Sequence, residues 1–434
     1  MYVTSLYGQQ EKGQNAVRAH KNFFIYFPLA GATLIYFCVC LQKVIVPGAT
    51  FQEIQTLFAM DVVETIRLGA AFYFVYAALQ LAGGPLADRF GGARVITASG
   101  VLFVLGSFLS AIAATPSWLL AGRIVAGAGA ALIVQALLKM TAMIAGDKLS
   151  VVYGVVTMLG YAGSIIGTSP FIAGVRTFGY RTMMLTAALL AGAAYILHWA
   201  GGAATAASPS STASFSWHGW FRCFSGQNVL FFFAMGIPFA TTFSFLTIFG
   251  KKFLEDYARM TPSQSGGILL GMTLIAAVNG VVAAMISRRF GNNHMMIMRY
   301  SSIGSLVITA VGTALLALGV RSAAPCGFCA LALASTGNIL PVYVAYLREN
   351  NDPDHFVTVN SLMNGCAYVL TSFFAWWTGK VLGFFTPENI GGVPRYGQNA
   401  YLAIMTGLLI FSAVSVVCTF CLHGKRREKA LESR

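Results

Sequence analysis

Charge is what this sequence has least of. Only 10% of its 434 residues are Asp, Glu, Lys or Arg, where a soluble domain carries about 25%. A chain this long needs far more charge to cover a water-exposed surface, which excludes a soluble enzyme, a disordered protein and a nucleic-acid binder. Acids are the scarcer sign, 14 against 28 basic residues, and none of them falls in the middle of an apolar run. Five of the six His lie at or beyond the ends of such runs, and His198 sits towards the inner end of one. No Ser-His-Asp set is placed for catalysis, so the chain is not expected to be an enzyme. Cysteine is sparse as well. Seven of the eight lie in apolar stretches and Cys223 in a polar loop, which is no disulfide framework. The pairs Cys326/Cys329 and Cys418/Cys421 belong to opposite membrane faces, separated by most of about 30 Å of hydrocarbon, so they cannot converge on one zinc. No metal or cofactor is expected. A cleaved leader is not expected either: residues 1–21 are polar, and the apolar run after them is too long and lacks a small-residue cleavage pattern.

What the sequence has in excess is apolar length. Hydrophobic residues make up 57%, glycines number 46 and the mean hydropathy is +0.70. A spanning helix takes about 20 apolar residues, and small residues let helices approach closely in lipid. Twelve apolar stretches stand out: 23–47, 68–87, 95–114, 118–144, 151–173, 183–204, 228–249, 266–286, 295–318, 324–347, 356–377 and 400–422. The expected fold is an all-α polytopic membrane protein with twelve transmembrane helices in two pseudo-symmetric six-helix bundles. The expected organisation is a cytoplasmic tail (1–22), a bundle (23–204), a cytoplasmic linker (205–227), a second bundle (228–422) and a basic cytoplasmic tail (423–434). Charge bias sets the orientation. With the N-terminus inside, 17 of the 28 Lys and Arg fall on cytoplasmic segments, nine on the other side, and two, Lys43 and Arg123, within spans. Both termini are therefore expected in the cytoplasm, and the basic balance needs no nucleic acid.

An internal repeat supports the division. The segment 84–94, between the second and third stretches, contains Arg89-Phe90-Gly91, and Arg289-Phe290-Gly291 falls at the same place in the second half, 200 residues on. Two similar halves with a pathway between them is transporter architecture.

Gly84, Leu86, Ala87, Asp88, Arg89 and Gly91 resemble the G-x-L-A-D-R-x-G-R-K signature of the major facilitator superfamily. Gly92 and Ala93 depart from its basic pair, and Arg94 comes one place late. Arg123-Ile124-Val125-Ala126-Gly127-Ala128-Gly129-Ala130-Ala131 is similar to the family's R-x-x-x-G-x-G-x-A pattern, and Gly179-Tyr180-Arg181 to its G-W-R. The resemblance implies a secondary transporter working by alternating access. It also implies that Asp88, with Arg94 or Lys139 as partner, closes the inner rim in one conformation and releases it in the other, with Gly84, Arg89 and Gly91 shaping the same loop. Arg288 stands where the second copy would need its carboxylate. The segment 167–172 lacks the G-P-x-x-G-G ending of family antiporters, which weighs against a drug/proton antiporter.

Candidate substrate contacts follow from the scarcity of charge. Lys43 and Arg123 read as the only charges committed to the spans, and each must face a cavity, a partner or an interface. Their similar depth suits an anion, and the competing account pairs Lys43 with Glu53, Asp61 or Glu64. Polar side chains recur at helical spacing: Tyr36, Cys40 and Lys43; Tyr73, Tyr76 and Gln80; Tyr153, Thr157, Tyr161, Ser164 and Thr168; Asn338 and Tyr343 about Pro341; and Asn360, Asn364 and Tyr368. Each stripe alone reads as interhelical glue, and together they read as a lined cavity. Tyr36, Gln80, Tyr161, Asn338, Asn360, Asn364 and Tyr368 join the two cations as candidate contacts. The expected function is transport of a small polar solute, an organic anion, with symport, exchange or uniport left open. A proton or counter-substrate is the expected coupling partner, and the protein is read as a monomer in the lipid bilayer of a bacterial inner (plasma) membrane. A drug or metabolite exporter and a transport-inactive receptor or scaffold of the same fold are the alternatives.

Overall fold

The computed structural model describes residues 27–145, 149–202, 221, 223–351, 356–390 and 393–423. The N-terminal tail, most of the linker and nearly all of the basic C-terminal tail lie outside the described residues. Among the described residues fifteen long or short helices follow one another: α1 Phe27–Ala49, α2 Phe51–Phe58, α3 Val62–Phe90, α4 Gly92–Ala111, α5 Pro116–Ala145, α6 Leu149–Ile166, α7 Ser169–Phe178, α8 Tyr180–Gly202, α9 Gly226–Asp256, α10 Pro262–Arg289, α11 His294–Ala317, α12 Ala323–Gly337, α13 Leu340–Asn350, α14 Phe356–Leu382 and α15 Gln398–Cys421. A short hairpin, β1 Glu388–Ile390 and β2 Val393–Arg395, precedes α15. Large apolar side chains such as Phe74, Leu189, Val281 and Ile410 face outward, as lipid allows and water does not.

Among the described residues ten spans are long and apolar enough to cross a membrane, counting α12 and α13 as one, and eleven if α6 and α7, bent by 45°, are one span. The remaining long helix, α14, has 27 residues, and Asn360, Asn364 and Lys380 lower its hydropathy. The expected fifth stretch is thus broken at Gly167-Thr168, and the expected tenth is broken at Asn338-Ile339, just before Pro341. Two expectations need correction. A helix not expected, α2, follows α1. The stretch expected to end at residue 249 continues as helix to Asp256, because Lys251/Glu255 and Lys252/Asp256 neutralise each other one turn apart.

The 200-residue repeat is written into the backbone. Widened turns occupy Ile45–Ala49 and Phe245–Phe249. Ala59 and Arg259 both take left-handed conformations, with φ of 51° and 52°. Each is followed by a capping box, Asp61 with Glu64 and Thr261 with Gln264, which satisfies the exposed N–H groups that open α3 and α10. Gly91 and Gly291, at φ of 84° and 70°, close those helices where a side chain would be strained.

Within the first half, α5 is the hub, and its glycines say why. A Cβ on Gly127 would stand 2.8 Å from the Phe72 carbonyl oxygen of α3, and one on Gly129 would stand 2.2 Å from the Phe103 nitrogen of α4. The glycines of this motif are therefore contact surfaces for backbone. Gly92 is explained in the same way: a Cβ there would lie 2.3 Å from the Ala136 carbonyl oxygen, so the family's basic residue has no room. The seam between the halves is formed chiefly by α3 against α14, where Gly365 admits Leu81 and Gly379 admits Ile66. Gly129→Val is expected to destabilise the bundle by about 1–3 kcal/mol or more, whereas Gly154→Val, with nothing within 4 Å, should leave stability unchanged. Melting temperatures of the purified proteins in detergent check the difference.

Candidate functional site

At the seam the structure gathers Lys43 from α1, Tyr73, Tyr76 and Gln80 from α3, Phe239 and Phe243 from α9, and Tyr368 from α14. The ammonium of Lys43 is buried. It donates to the Tyr368 hydroxyl at 3.0 Å and lies over the rings of Tyr76 and Tyr368, 4.0 and 4.5 Å from their centroids. Tyr73 stacks on Tyr368 at 5.8 Å, and Phe239 and Phe243 meet Tyr368 edge-on at 5.5 and 5.7 Å. Gln80 donates to the Tyr76 hydroxyl at 3.3 Å, and its own Oε1 has no partner. Among the described residues no carboxylate pairs with Lys43. The expected alternative, an ion pair with Glu53, Asp61 or Glu64, is therefore corrected: Asp61 and Glu64 are held in their capping box, and Glu53 is taken by Lys251.

Arg123 has different company. Its guanidinium donates to the carbonyl oxygens of Gln42 at 3.1 Å and Val46 at 2.9 Å, and lies 4.1 Å from the centroid of the Phe72 ring. Val46 is non-helical (φ −123°, ψ 116°), so the end of α1 has carbonyls in need of donors, and the arginine fork supplies them. The Tyr73 hydroxyl donates to the Lys43 carbonyl at 2.9 Å. Three successive anchors thus hold the main chain on which Lys43 sits.

The remaining expected contacts are distributed around this box. Asn338, in the break between α12 and α13, donates to the Tyr161 hydroxyl at 2.5 Å and to the Ala276 carbonyl at 2.8 Å, so the first of these bonds joins the halves. The half-buried Tyr36 lies against Gly160. Asn360 and Asn364 are half-buried on the α14 face that leads to Tyr368, and the Oδ1 of Asn360 is unpaired. In the loop motif, Gly84 is buried, Arg89 and Arg94 are exposed and Lys139 is half-buried. The side chain of Asp88 lies outside the described residues. His198 is buried and holds α8 to α1 and α4 through the Pro28 carbonyl at 2.9 Å and the Thr97 hydroxyl at 3.3 Å.

Sequence reasoning missed the charges of α9. Lys43 and Arg123 are not the only charges inside the bundle, since Lys251, Lys252, Glu255 and Asp256 are all buried. Lys252 pairs with Asp256 at 2.8 Å and also donates to the Pro394 carbonyl, while Tyr401 donates to Asp256 at 2.8 Å. Lys251 crosses the seam. It donates to the Ala49 carbonyl at 2.8 Å, reaches Glu53 at 3.5 Å and keeps Glu255 at 4.0 Å. A Cβ on Gly48 would lie 2.6 Å from the Thr247 carbonyl oxygen, so the halves touch backbone to backbone here. The i,i+4 pairs in Lys251-Lys252-Phe253-Leu254-Glu255-Asp256, continuous with an apolar run, were the available signal. Residues 41–50 and 244–258 are buried without a break, while Tyr36, Phe239, Phe243, Asn360 and Asn364 are half-exposed. The structure is therefore sealed at the end that carries α2 and looser towards the other end. Among the described residues no cluster of His, Cys, Asp and Glu is arranged to hold a metal.

Repeated helical halves about a polar seam define a solute carrier embedded in a membrane. The family description Major Facilitator Superfamily matches residues 32–375, and the chain belongs to that superfamily of transporters. A crystal structure of nucleoside transporter NupG superposes with a TM-score of 0.66 over 92% of this chain and 98% of that one, at 14% identity, which speaks for the fold alone. The chain is 29% identical to a methylenomycin A resistance protein of Bacillus subtilis over 37% of this chain and 35% of that protein. It is 32% identical to the methyl viologen resistance protein SmvA of Salmonella typhimurium over 33% and 28% respectively. These alignments span about a third of either relative. A methylenomycin A resistance protein of Streptomyces coelicolor is 26% identical over 76% of this chain and 87% of its own.

If the Lys251 contacts seal the α2 end, Glu53→Gln should speed hydrogen exchange across residues 45–58 and 245–256 several-fold. Lys251→Gln, which also loses the Ala49 bond, should speed it more. Equal exchange in all three proteins would leave the Lys251–Glu53 pair with no part in the seal.

Proposed function

We propose that this protein exports a small organic anion by alternating access between its two halves, with Lys43 as the group that meets the anionic end of the cargo. The observation that carries this reading is a buried ammonium at the seam that, among the described residues, has no carboxylate beside it and one hydrogen-bond acceptor, Tyr368. A lysine ammonium has three donors, so two are open to an incoming anion. Export is supported by the relatives named for resistance. Proton exchange or a counter-substrate supplies the coupling. On the charge bias, both termini face the cytoplasm of a bacterial inner-membrane protein, so the sealed α2 end faces outward. Tyr36, Gln80, Tyr161, Asn338, Asn360, Asn364 and Tyr368 line the route to the box, and Arg123 acts on Lys43 through the backbone. At the cytoplasmic end, Asp88 with Arg94 or Lys139 forms the latch that alternates with Lys251.

A cationic cargo is the second reading. It is favoured by the aromatic faces around Lys43, which suit any cation, and by the relative named for methyl viologen resistance.

Lys43→Gln should weaken binding and flux of an anionic cargo by roughly one to two decades, the worth of a charge-assisted hydrogen bond, and Lys43→Arg should lose less. Flux into proteoliposomes and thermal-shift titration measure both. Stronger binding of cations by Lys43→Gln, with no anion recognised by the native protein, would decide for the second reading. Asp88→Asn should slow flux while leaving expression and cargo binding near native, and native flux in this variant would leave the loop as a topology signal only.

A further inference from the structure

We infer that the box around Lys43 selects planar, unsaturated monocarboxylates over dianions and over saturated acids. This inference rests on the anion reading and narrows it. The charge count comes from the partners each buried cation already has. Arg123 gives one donor from each terminal nitrogen to a main-chain carbonyl and lies over the Phe72 ring, with its Nε unpaired. Lys252 is matched by Asp256, and Lys251 by Glu53 and Glu255. Lys43 and Arg123 thus both lack a carboxylate, and of the two only Lys43 reaches the second half, through the Tyr368 hydroxyl, so its ammonium is the charge that a ligand between the halves meets. A monoanion neutralises that ammonium, whereas a second carboxylate would find no second ammonium in the box and would enter buried space at a steep desolvation cost.

The shape comes from the rings. Tyr73 and Tyr368 are parallel within 10°, and Phe239 and Phe243 are stacked within 14° at 5.2 Å. Phe239 and Phe243 are only half-buried, so their free surfaces border the looser side of the bundle, from which a ligand would arrive. Flat walls of this kind favour a flat partner in offset or edge-on contact. Phe243 and Lys43 occupy equivalent positions of the 200-residue repeat. One half thus supplies the cation and the other an aromatic surface at the same depth.

The test is a thermal-shift and calorimetric titration of the purified full-length protein in nanodiscs with five probes: benzoate, cyclohexanecarboxylate, phthalate, benzamide and benzyltrimethylammonium. Benzoate should bind tightest, about three- to tenfold over cyclohexanecarboxylate, the range expected of ring–ring contacts, and by more over phthalate and benzamide. Phe243→Leu should bring benzoate down to the level of cyclohexanecarboxylate, and Lys43→Gln should weaken both acids together. If Phe243→Leu fails to fold, Phe239→Leu carries the same comparison. Equal affinity for the two monocarboxylates, or tighter binding of phthalate, overturns the planar-monoanion inference and leaves the anion reading standing. Binding of benzyltrimethylammonium with no carboxylate bound overturns both, and failure of all five probes to bind at millimolar concentration overturns the inference.

Discussion

The constraint on which the seam depends is the burial of the Lys43 ammonium without a carboxylate. Removing an ion from water costs several kcal/mol after relaxation. Two aromatic faces return about 2 kcal/mol or somewhat more when desolvated, and the Tyr368 hydroxyl adds a hydrogen bond. The compensation is incomplete, and it comes from both halves at once, since Tyr76 belongs to α3 and Tyr368 to α14. Closing the halves around Lys43 is therefore an electrostatic act as much as a packing one. Under the proposed function, an anion that completes the compensation stabilises the loaded, closed arrangement relative to the empty one. A ligand shifts a conformational equilibrium only through such a difference.

The α2 end solves the same problem in the opposite way. Four charges are buried there, and every one has a partner of opposite sign. Lys252 and Asp256 are fixed within the second half by Tyr401, the Tyr396 amide and the Pro394 carbonyl. Lys251 is shared: Glu255 belongs to its own helix, whereas Glu53 and the Ala49 carbonyl belong to the other half. Separation of the halves leaves Lys251 with one carboxylate still in reach. Such a contact can be broken without stranding a bare charge, which is what a reversible seal requires.

Much of this was legible in the sequence. The apolar runs gave the helical membrane fold because in lipid the backbone must satisfy itself. Arg89-Phe90-Gly91 and its second copy marked the repeat because a helix end at positive φ wants glycine. The polar stripe of Asn360, Asn364 and Tyr368 pointed to α14 because the i,i+4 rule is local. The partner of each cation was not legible. Tyr368 lies 325 residues from Lys43, and the choice between it and Glu53 depends on how two helix pairs cross. The extension of α9 was masked by its two adjacent lysines, which look like the end of a span unless their neutralising Glu and Asp, one turn on, are counted. The second capping box, Thr261 with Gln264, stood in the sequence at the repeat distance from Asp61 and Glu64 and would have placed the start of α10.

The two cations singled out by their rarity divide the work between them. Gln42 and Val46, whose carbonyls Arg123 holds, bracket Lys43 in the chain, and Tyr73 holds the carbonyl of Lys43 itself. All three anchors come from the first half. A lysine at position 123 has no planar fork with which to bridge two carbonyls four residues apart, and the broken end of α1 would then be free to shift the ammonium. Arg123 thus sets where Lys43 is, and under the proposed function Lys43 sets what is attracted there. Because the anchors belong to the first half while Tyr368, Phe239 and Phe243 belong to the second, the relative motion that the proposed function requires would change the company of the ammonium without moving its base. In such a motion the ammonium would keep the Tyr76 face, which belongs to its own half, and gain or lose the Tyr368 hydroxyl. Under the proposed function, the affinity of this point for an anion is thereby tied to the conformation of the carrier, and that tie is what would couple cargo binding to alternating access.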